Sequence, residues 1–171
     1  HICLSLLVAL LITSCSTVPG TGRLQFTPIP AGQMLSMSIT QYSEVIDKAK
    51  LSKDHETSAM VRRVGLRIAR AVEDLLEEEG IEMKFEWEFN LIEDDKQVNA
   101  WCMPGGKIAV YTGILPYTKD ETGLAVVMGH EVAHALARHG NERMSRGIGI
   151  ALIGMGLGFA LNEHDPTTRN I

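Results

Sequence analysis

The sequence predicts an α+β fold in which helices flank a small three-stranded sheet. Two segments with helical spacing of apolar residues come first, at about 33–50 and 55–79. Three short segments with strand character follow, and they cover 85–92, 98–103 and 107–112. A further helix begins near residue 120. Because the strands are grouped rather than alternating with helices, the order differs from that of a parallel βαβ fold.

Composition bounds the class of protein. The chain has 171 residues, enough for about one domain, with 45% hydrophobic and 22% charged residues. Its net charge is −5 and its basic residues are scattered, which argues against a nucleic-acid-binding surface. Three cysteines cannot form a disulfide framework, and Cys102 is predicted to be a small buried side chain.

Local signals support each predicted element. Gly80 stands where a C-terminal cap of the second helix belongs. Residues 85–92 alternate between apolar and polar, as a half-buried strand does. The run Pro104-Gly105-Gly106 predicts a hairpin between the last two strands. Thr118 and Glu121 have the spacing of a capping box, from which a helix is expected to reach at least Arg138.

The N-terminal residues read as a targeting signal. Residues 2–12 are nearly all apolar, too few to span a membrane but typical of a secretory signal, so 1–14 are predicted to be a partial signal peptide. Ile12-Thr13-Ser14-Cys15 resembles a bacterial lipobox, which makes Cys15 the predicted lipidation site. The alternative is an ordinary signal peptide that carries a cysteine near its end. Residues 15–31 are predicted to be the lipidated cysteine and a linker.

The predicted helix near residue 120 contains His130-Glu131-Val132-Ala133-His134, an H-E-x-x-H pattern. Residues four apart lie on one helix face, so both imidazoles can bind one metal ion, and Glu131 borders the same face. The pattern predicts Zn²⁺ held by His130 and His134 with Glu131 as general base. Residues 124–137 are otherwise apolar, which predicts a buried helix. The alternative is two core histidines beside a chance glutamate.

The residues after the motif narrow the class of zinc site. A metzincin would need glycine at 137 and histidine at 140, but the chain has Ala137 and Gly140. A glutamate from a later helix is then the remaining common third ligand, as in the gluzincin type of zincin-like fold.

The segment His130–Arg143, H-E-V-A-H-A-L-A-R-H-G-N-E-R, resembles the M48 family of zinc metallopeptidases. Residues 98–106, V-N-A-W-C-M-P-G-G, resemble that family's strand pair before the zinc helix. Thr21-Gly22-Arg23 after a lipobox resembles its periplasmic lipoprotein branch. The resemblance implies one zinc ion per chain, and it makes 32–171 the N-terminal part of a metallopeptidase domain. It also implies that a substrate peptide adds to an edge strand at Asn99, Ala100 and Trp101.

The third zinc ligand is expected beyond Ile171, because the family's glutamate lies some fifty or more residues after the second histidine. We therefore expect a longer natural chain at both ends, and no activity from these 171 residues alone. Candidates within the sequence are weaker: Glu142 reads as helix surface beside Arg138 and Arg146, and Glu163 and His164 fall in a polar loop. We expect His139 to be structural or to support a ligand.

Residues 147–162 are uncharged and rich in glycine, but too few for a membrane span. They are expected to form a buried or flexible segment near the cleft, with a membrane-facing surface as the alternative.

Together with the lipobox, the resemblance implies a zinc-dependent endopeptidase of the bacterial cell envelope that acts in protein quality control. It would be lipid-anchored on the periplasmic face of the outer membrane, with protein substrates and outer-membrane assembly proteins as partners. The alternative is a lipid-anchored, chaperone-like binding protein for outer-membrane clients with a silent or latched zinc site. A structural zinc site is disfavoured, because the four cysteine or histidine ligands typical of one are missing.

Overall fold

The computed structural model describes residues 15–18, 22–26 and 29–162, and it confirms the predicted α+β class. The predicted signal segment 1–14 lies outside the described residues, as do Glu163 and His164. In chain order the elements are β1 (Cys15–Thr17), β2 (Leu24–Phe26), α1 (Ala31–Lys48), α2 (His55–Glu78), β3 (Glu88–Ile92), β4 (Ala100–Met103), β5 (Lys107–Tyr111), a 3-10 turn (Thr112–Ile114), α3 (Leu115–Thr118), α4 (Glu121–Leu136) and α5 (His139–Asn162).

The main sheet has the strand order β3-β5-β4. β5 lies in the centre, parallel to β3 and antiparallel to β4, and its Ile108, Ala109 and Val110 are fully buried. The predicted hairpin between β4 and β5 is confirmed. Its turn contains Gly105 and Gly106 at φ values of 88° and 82°, a region that favours glycine. β4 is therefore an edge strand of this sheet.

The first strand of the sheet is shorter than the predicted segment 85–92. Regular pairing begins at Glu88, opposite the first residue of β5. Before that point the N–H of Glu86 donates to the carbonyl of Gly105 in the hairpin turn at 2.9 Å. Trp87 packs so closely on the turn that a Cβ atom on Gly106 would lie 2.6 Å from the indole ring.

The hydrophobic core lies where α2 and α4 pack on the sheet. α2 contributes Val61 and Val64, which belong to the same hydrophobic cluster as Ile108 and Val110 of the central strand. α4 contributes three side chains that are at most 1% exposed, Leu124, Met128 and Val132. Burial of these residues fixes α4 beside the edge strand β4.

The predicted linker 15–31 contains a two-stranded antiparallel ribbon, β1–β2, where no strand is predicted. The turn between the strands includes Gly22 at φ 63°, and the N–H of Val18 donates to the carbonyl of Arg23 at 2.8 Å. Two strands of three residues are too short for an alternating pattern to be recognised in the sequence.

The predicted capping box at the start of α4 is wrong. The N-cap is Asp120, whose carboxylate accepts from the N–H of Gly123 at 2.9 Å. Thr118 ends the short helix α3, and its hydroxyl donates back to the carbonyl of Leu115 at 3.1 Å. Asp120 is itself a preferred N-cap residue, so the local chemistry favoured it equally.

The prediction that α4 is a buried helix is wrong for one of its faces. Leu124, Met128 and Val132 are buried, but Val126 is 69% exposed and His130 is exposed. Apolar composition all round the helix suggested burial, but only the face towards α2 and the sheet is covered. The two ligand candidates therefore lie on a partly open surface rather than inside the core.

Residues 147–162 continue the helix α5 that begins at His139. At the start of this stretch Ile148 is 44% and Ile150 is 71% exposed, so the expected burial fails there. Within the described part of the chain, no helix combines the length and hydropathy needed to cross a membrane.

Candidate metal centre

His130 and His134 lie one turn apart on the same face of α4, as their spacing predicts. Their Nε2 atoms are 2.9 Å apart, and their ring planes cross at 80°. Two nitrogen ligands of one tetrahedral zinc ion, each about 2.0–2.1 Å from the metal, are about 3.3 Å apart. A small rotation of either ring gives that separation, so the pair fits two neighbouring positions of a zinc site.

Glu131 follows His130 on α4 and lies half-buried, on the side of the helix towards β4. Cys102 of β4 lies near Glu131, as the effect of the Glu131 charge on the thiol indicates. Burial of the thiol, and then the negative charge of Glu131, raise the pKa of Cys102 to about 12. Cys102 is therefore a neutral thiol at physiological pH, as expected for a small packed side chain and not for a nucleophile.

α4 ends at Leu136, earlier than the predicted helix, because the backbone breaks at Ala137 and Arg138. Arg138 has a φ of 54°, in the left-handed region that few side chains occupy. The chain then starts α5 at His139, and this break turns His139 back towards the metal candidates. The Nδ1 atoms of His134 and His139 are 2.6 Å apart. The sequence offers no glycine or proline at the break, so nothing in it signalled this contact.

No third metal ligand joins the two histidines within the described residues. No group of three histidine, cysteine, aspartate or glutamate side chains there could hold a metal ion. His139 approaches His134 at Nδ1, on the opposite side of the ring from the Nε2 pair. The third ligand expected beyond Ile171 stays a prediction.

Glu142 of α5, a candidate third ligand in the sequence, is already engaged by two arginines. Its carboxylate accepts from both terminal nitrogens of Arg23, at 2.7 and 3.3 Å, and from Arg146 at 2.6 Å. The hydrogen bond and charge of Arg23, and then the charge of Arg146, lower the pKa of Glu142 to about 2. The expected neighbour Arg146 is thus present, but the other partner is Arg23 and not Arg138.

The ribbon β1–β2 reaches the same break between α4 and α5. Gln25 of β2 is 2% exposed, and its side-chain amide donates to the carbonyl of Ala137 at 2.6 Å. Together with the ion pair from Arg23 to Glu142, this contact secures both sides of the break. A segment that the sequence suggested was a linker therefore supports the end of the histidine-bearing helix.

The residues predicted to receive a substrate strand lie at and just before the edge strand β4. The carbonyl of Asn99 accepts from the N–H of Tyr111 at 3.1 Å, and Ala100 is buried opposite Val110. Trp101 packs edge-on against Tyr42, with ring centroids 5.7 Å apart. β4 packs against α4, and its Cys102 is close enough to Glu131 for the charge of that carboxylate to act on the thiol.

Comparisons with known proteins agree on one family. A family model described as peptidase family M48 matches residues 63–168, more than half of the chain. The mitochondrial metalloendopeptidase OMA1 of Schizosaccharomyces pombe is 35% identical over 136 residues, and that of Saccharomyces cerevisiae is 30% identical over 116 residues. The β-barrel assembly-enhancing protease of Escherichia coli K12 is 25% identical over 126 residues.

The matches cover most of this chain but a minor part of each relative. They span 78%, 67% and 74% of the chain, against 38%, 34% and 24% of the respective relatives. The chain thus corresponds to less than two-fifths of the length of any of these three proteins.

Proposed function

The chain belongs to peptidase family M48, and we propose that its protein is a zinc-dependent metalloendopeptidase with His130 and His134 as metal ligands. One observation carries this proposal: the Nε2 atoms of the two histidines converge to 2.9 Å on the helix that also carries Glu131 and that packs against the edge strand β4. Neutral imidazole is a preferred zinc ligand, and the donor chemistry fits one zinc ion per chain. A glutamate beyond Ile171 would complete the site.

Glu131 is the general base in this proposal. When bound, zinc supplies a Lewis acid that polarises the scissile carbonyl and acidifies water. The Glu131 carboxylate accepts the proton of the attacking water and then donates it to the leaving amine nitrogen. Its half-buried position on α4 keeps it close to the histidines without making it a ligand.

β4 would hold the substrate. An extended peptide that adds to its outer edge forms main-chain hydrogen bonds that do not depend on the peptide's sequence. Asn99, Ala100 and Trp101 are the proposed contacts, since they lie at the start of this edge. The contact of Trp101 with Tyr42 and the pairing of Ala100 with Val110 make the edge rigid before a peptide arrives.

We further propose protein quality control in a bacterial cell envelope, with Cys15 as a lipid anchor on the periplasmic face of the outer membrane. Residues 12–15 support the anchor through their resemblance to a lipobox. The similarity to the β-barrel assembly-enhancing protease supports protein substrates and a link to β-barrel assembly. In this arrangement the domain would begin at about residue 32, and β1, which starts at Cys15, would place the anchor close to the end of α4.

Replacement of the base separates the enzyme from the alternative chaperone-like binding protein. In the full-length protein, Glu131→Gln should retain about one zinc ion per chain but reduce cleavage of an unfolded protein such as casein by about 100-fold or more. Glu44→Gln, an exposed position on α1, is the matched control and should cleave like the wild type. Undiminished cleavage by Glu131→Gln would contradict the proposed role of Glu131.

A further inference from the structure

The proposed function uses His130, His134 and Glu131, but it assigns no role to the contact between His134 and His139. The two Nδ1 atoms are 2.6 Å apart, and their ring centroids are 4.9 Å apart. Two nitrogen atoms at this distance share one hydrogen, so one ring donates and the other accepts. The direction of that hydrogen bond decides which nitrogen of His134 has a free lone pair.

We propose that His139 is a positioning residue for the metal ligand His134, an inference that rests on the proposed function. A neutral imidazole that binds a metal through Nε2 carries its hydrogen on Nδ1. That Nδ1–H of His134 points at Nδ1 of His139, which accepts it. The acceptor thereby selects the tautomer of His134 that presents a free Nε2 lone pair, and it holds the plane of the ring.

Backbone structure places His139 for this role, because a continuous helix would direct residue 139 elsewhere. The turn needs the left-handed conformation of Arg138, and it is secured by two contacts from distant parts of the sequence. Gln25 donates to the carbonyl of Ala137, and Arg23 pairs with Glu142, one turn into α5. An unusual backbone conformation that is held from outside is typical of a functional contact.

His139 is a supporting residue in this geometry and not the missing ligand. It meets His134 at Nδ1, whereas the face shared with His130 is formed by Nε2. Partners of this kind are usually carboxylates or carbonyls, and they typically affect metal affinity by 10- to 100-fold. Here an imidazole nitrogen provides the acceptor.

Three substitutions at one position test the proposal in the full-length protein. The side-chain amide of asparagine can place an oxygen where Nδ1 of histidine lies, whereas that of glutamine reaches the position of Nε2. We expect His139→Asn to bind Zn²⁺ within a few-fold of the wild type in competition with a chromophoric chelator. His139→Gln and His139→Phe should bind about 10- to 100-fold more weakly. Equal affinity in the phenylalanine variant, or equal losses in the asparagine and glutamine variants, would overturn the proposal.

A measurement on the wild type keeps the proposal testable if the variants fail to fold. Nitrogen NMR of the zinc-loaded, full-length protein should show His134 with its hydrogen on Nδ1 and a hydrogen bond from it to His139. A bare Nδ1 on His134 would overturn the proposal. The outcomes distinguish the proposed zinc-dependent function from the role of His139. If the wild type bound no zinc, both would be overturned. Normal zinc binding by His139→Gln and His139→Phe, with cleavage still dependent on Glu131, would overturn only the role of His139.

Discussion

The two ends of α4 are fixed in different ways. At the start, Asp120 caps the helix through the N–H of Gly123, three residues away, so the contact is local. At the end, the helix stops at Leu136 and is held by Gln25, more than a hundred residues earlier in the chain. The position of His130 and Glu131 therefore follows from local sequence and core packing. The position of His139 depends on tertiary contacts.

A small substitution at the start of α4 should lower the stability of the protein more than one at its end, because Gly123 already lies against the backbone of Thr118. A Cβ atom on Gly123 would lie 2.0 Å from the carbonyl oxygen of Thr118, so Gly123→Ala must move the backbone and weaken the cap. We expect it to lower the free energy of unfolding by about 2–3 kcal/mol, measured by denaturant titration of the full-length protein.

Gly129 is the matched control for that substitution, since it lies in the middle of the same helix. A Cβ atom there meets no atom within 4 Å, and Gly129→Ala should stabilise the protein by about 0.5–1 kcal/mol through helix propensity. If the two alanine variants changed stability equally, the close contact at the start of α4 would not be the cause.

Loss of the Glu142 carboxylate near the end of α4 should lower the stability of the protein by less, and by an amount that depends on pH. The pKa of Glu142 is about 2 in the folded protein, below its ordinary value of 4.5, because Arg23 and Arg146 stabilise the carboxylate. Its contribution to stability is therefore present above about pH 4.5 and is lost as the pH falls towards 2. The melting temperature of the wild type should exceed that of Glu142→Gln near neutral pH, and the two should converge at low pH.

Glu44→Gln serves again as the control for loss of one carboxylate, because Glu44 is exposed on α1. A constant difference in melting temperature between the wild type and Glu142→Gln from pH 5 to pH 2 would show that the ion pair does not stabilise the break.

The contrast between local and long-range contacts also explains what could be predicted from the sequence. The bounds of α1 and α2 are predicted to within two residues at either end, because periodic apolar positions and the cap at Gly80 are local signals. The hairpin followed from Pro104-Gly105-Gly106 for the same reason. The pairing of His130 with His134 needed only helical spacing.

The features that could not be predicted depend on contacts between distant residues. Arg138 adopts a left-handed conformation without the glycine that usually signals one, so the end of α4 was placed too late. The sequence predicts Arg138 and Arg146 beside the carboxylate of Glu142. Arg146 is present, but the second partner is Arg23, which comes from a segment with the composition of a linker. Exposure of Val126 also depends on which face of α4 is covered, and composition cannot provide that.

Anomalous diffraction at the zinc edge would show whether His130 and His134 hold a catalytic zinc ion. The crystal should contain the full-length protein loaded with zinc. We predict one peak per chain, about 2.0–2.1 Å from Nε2 of both histidines, with Glu131 beside the metal but not bound to it. A peak at another place in the molecule, or coordination of His134 through Nδ1, would contradict the account.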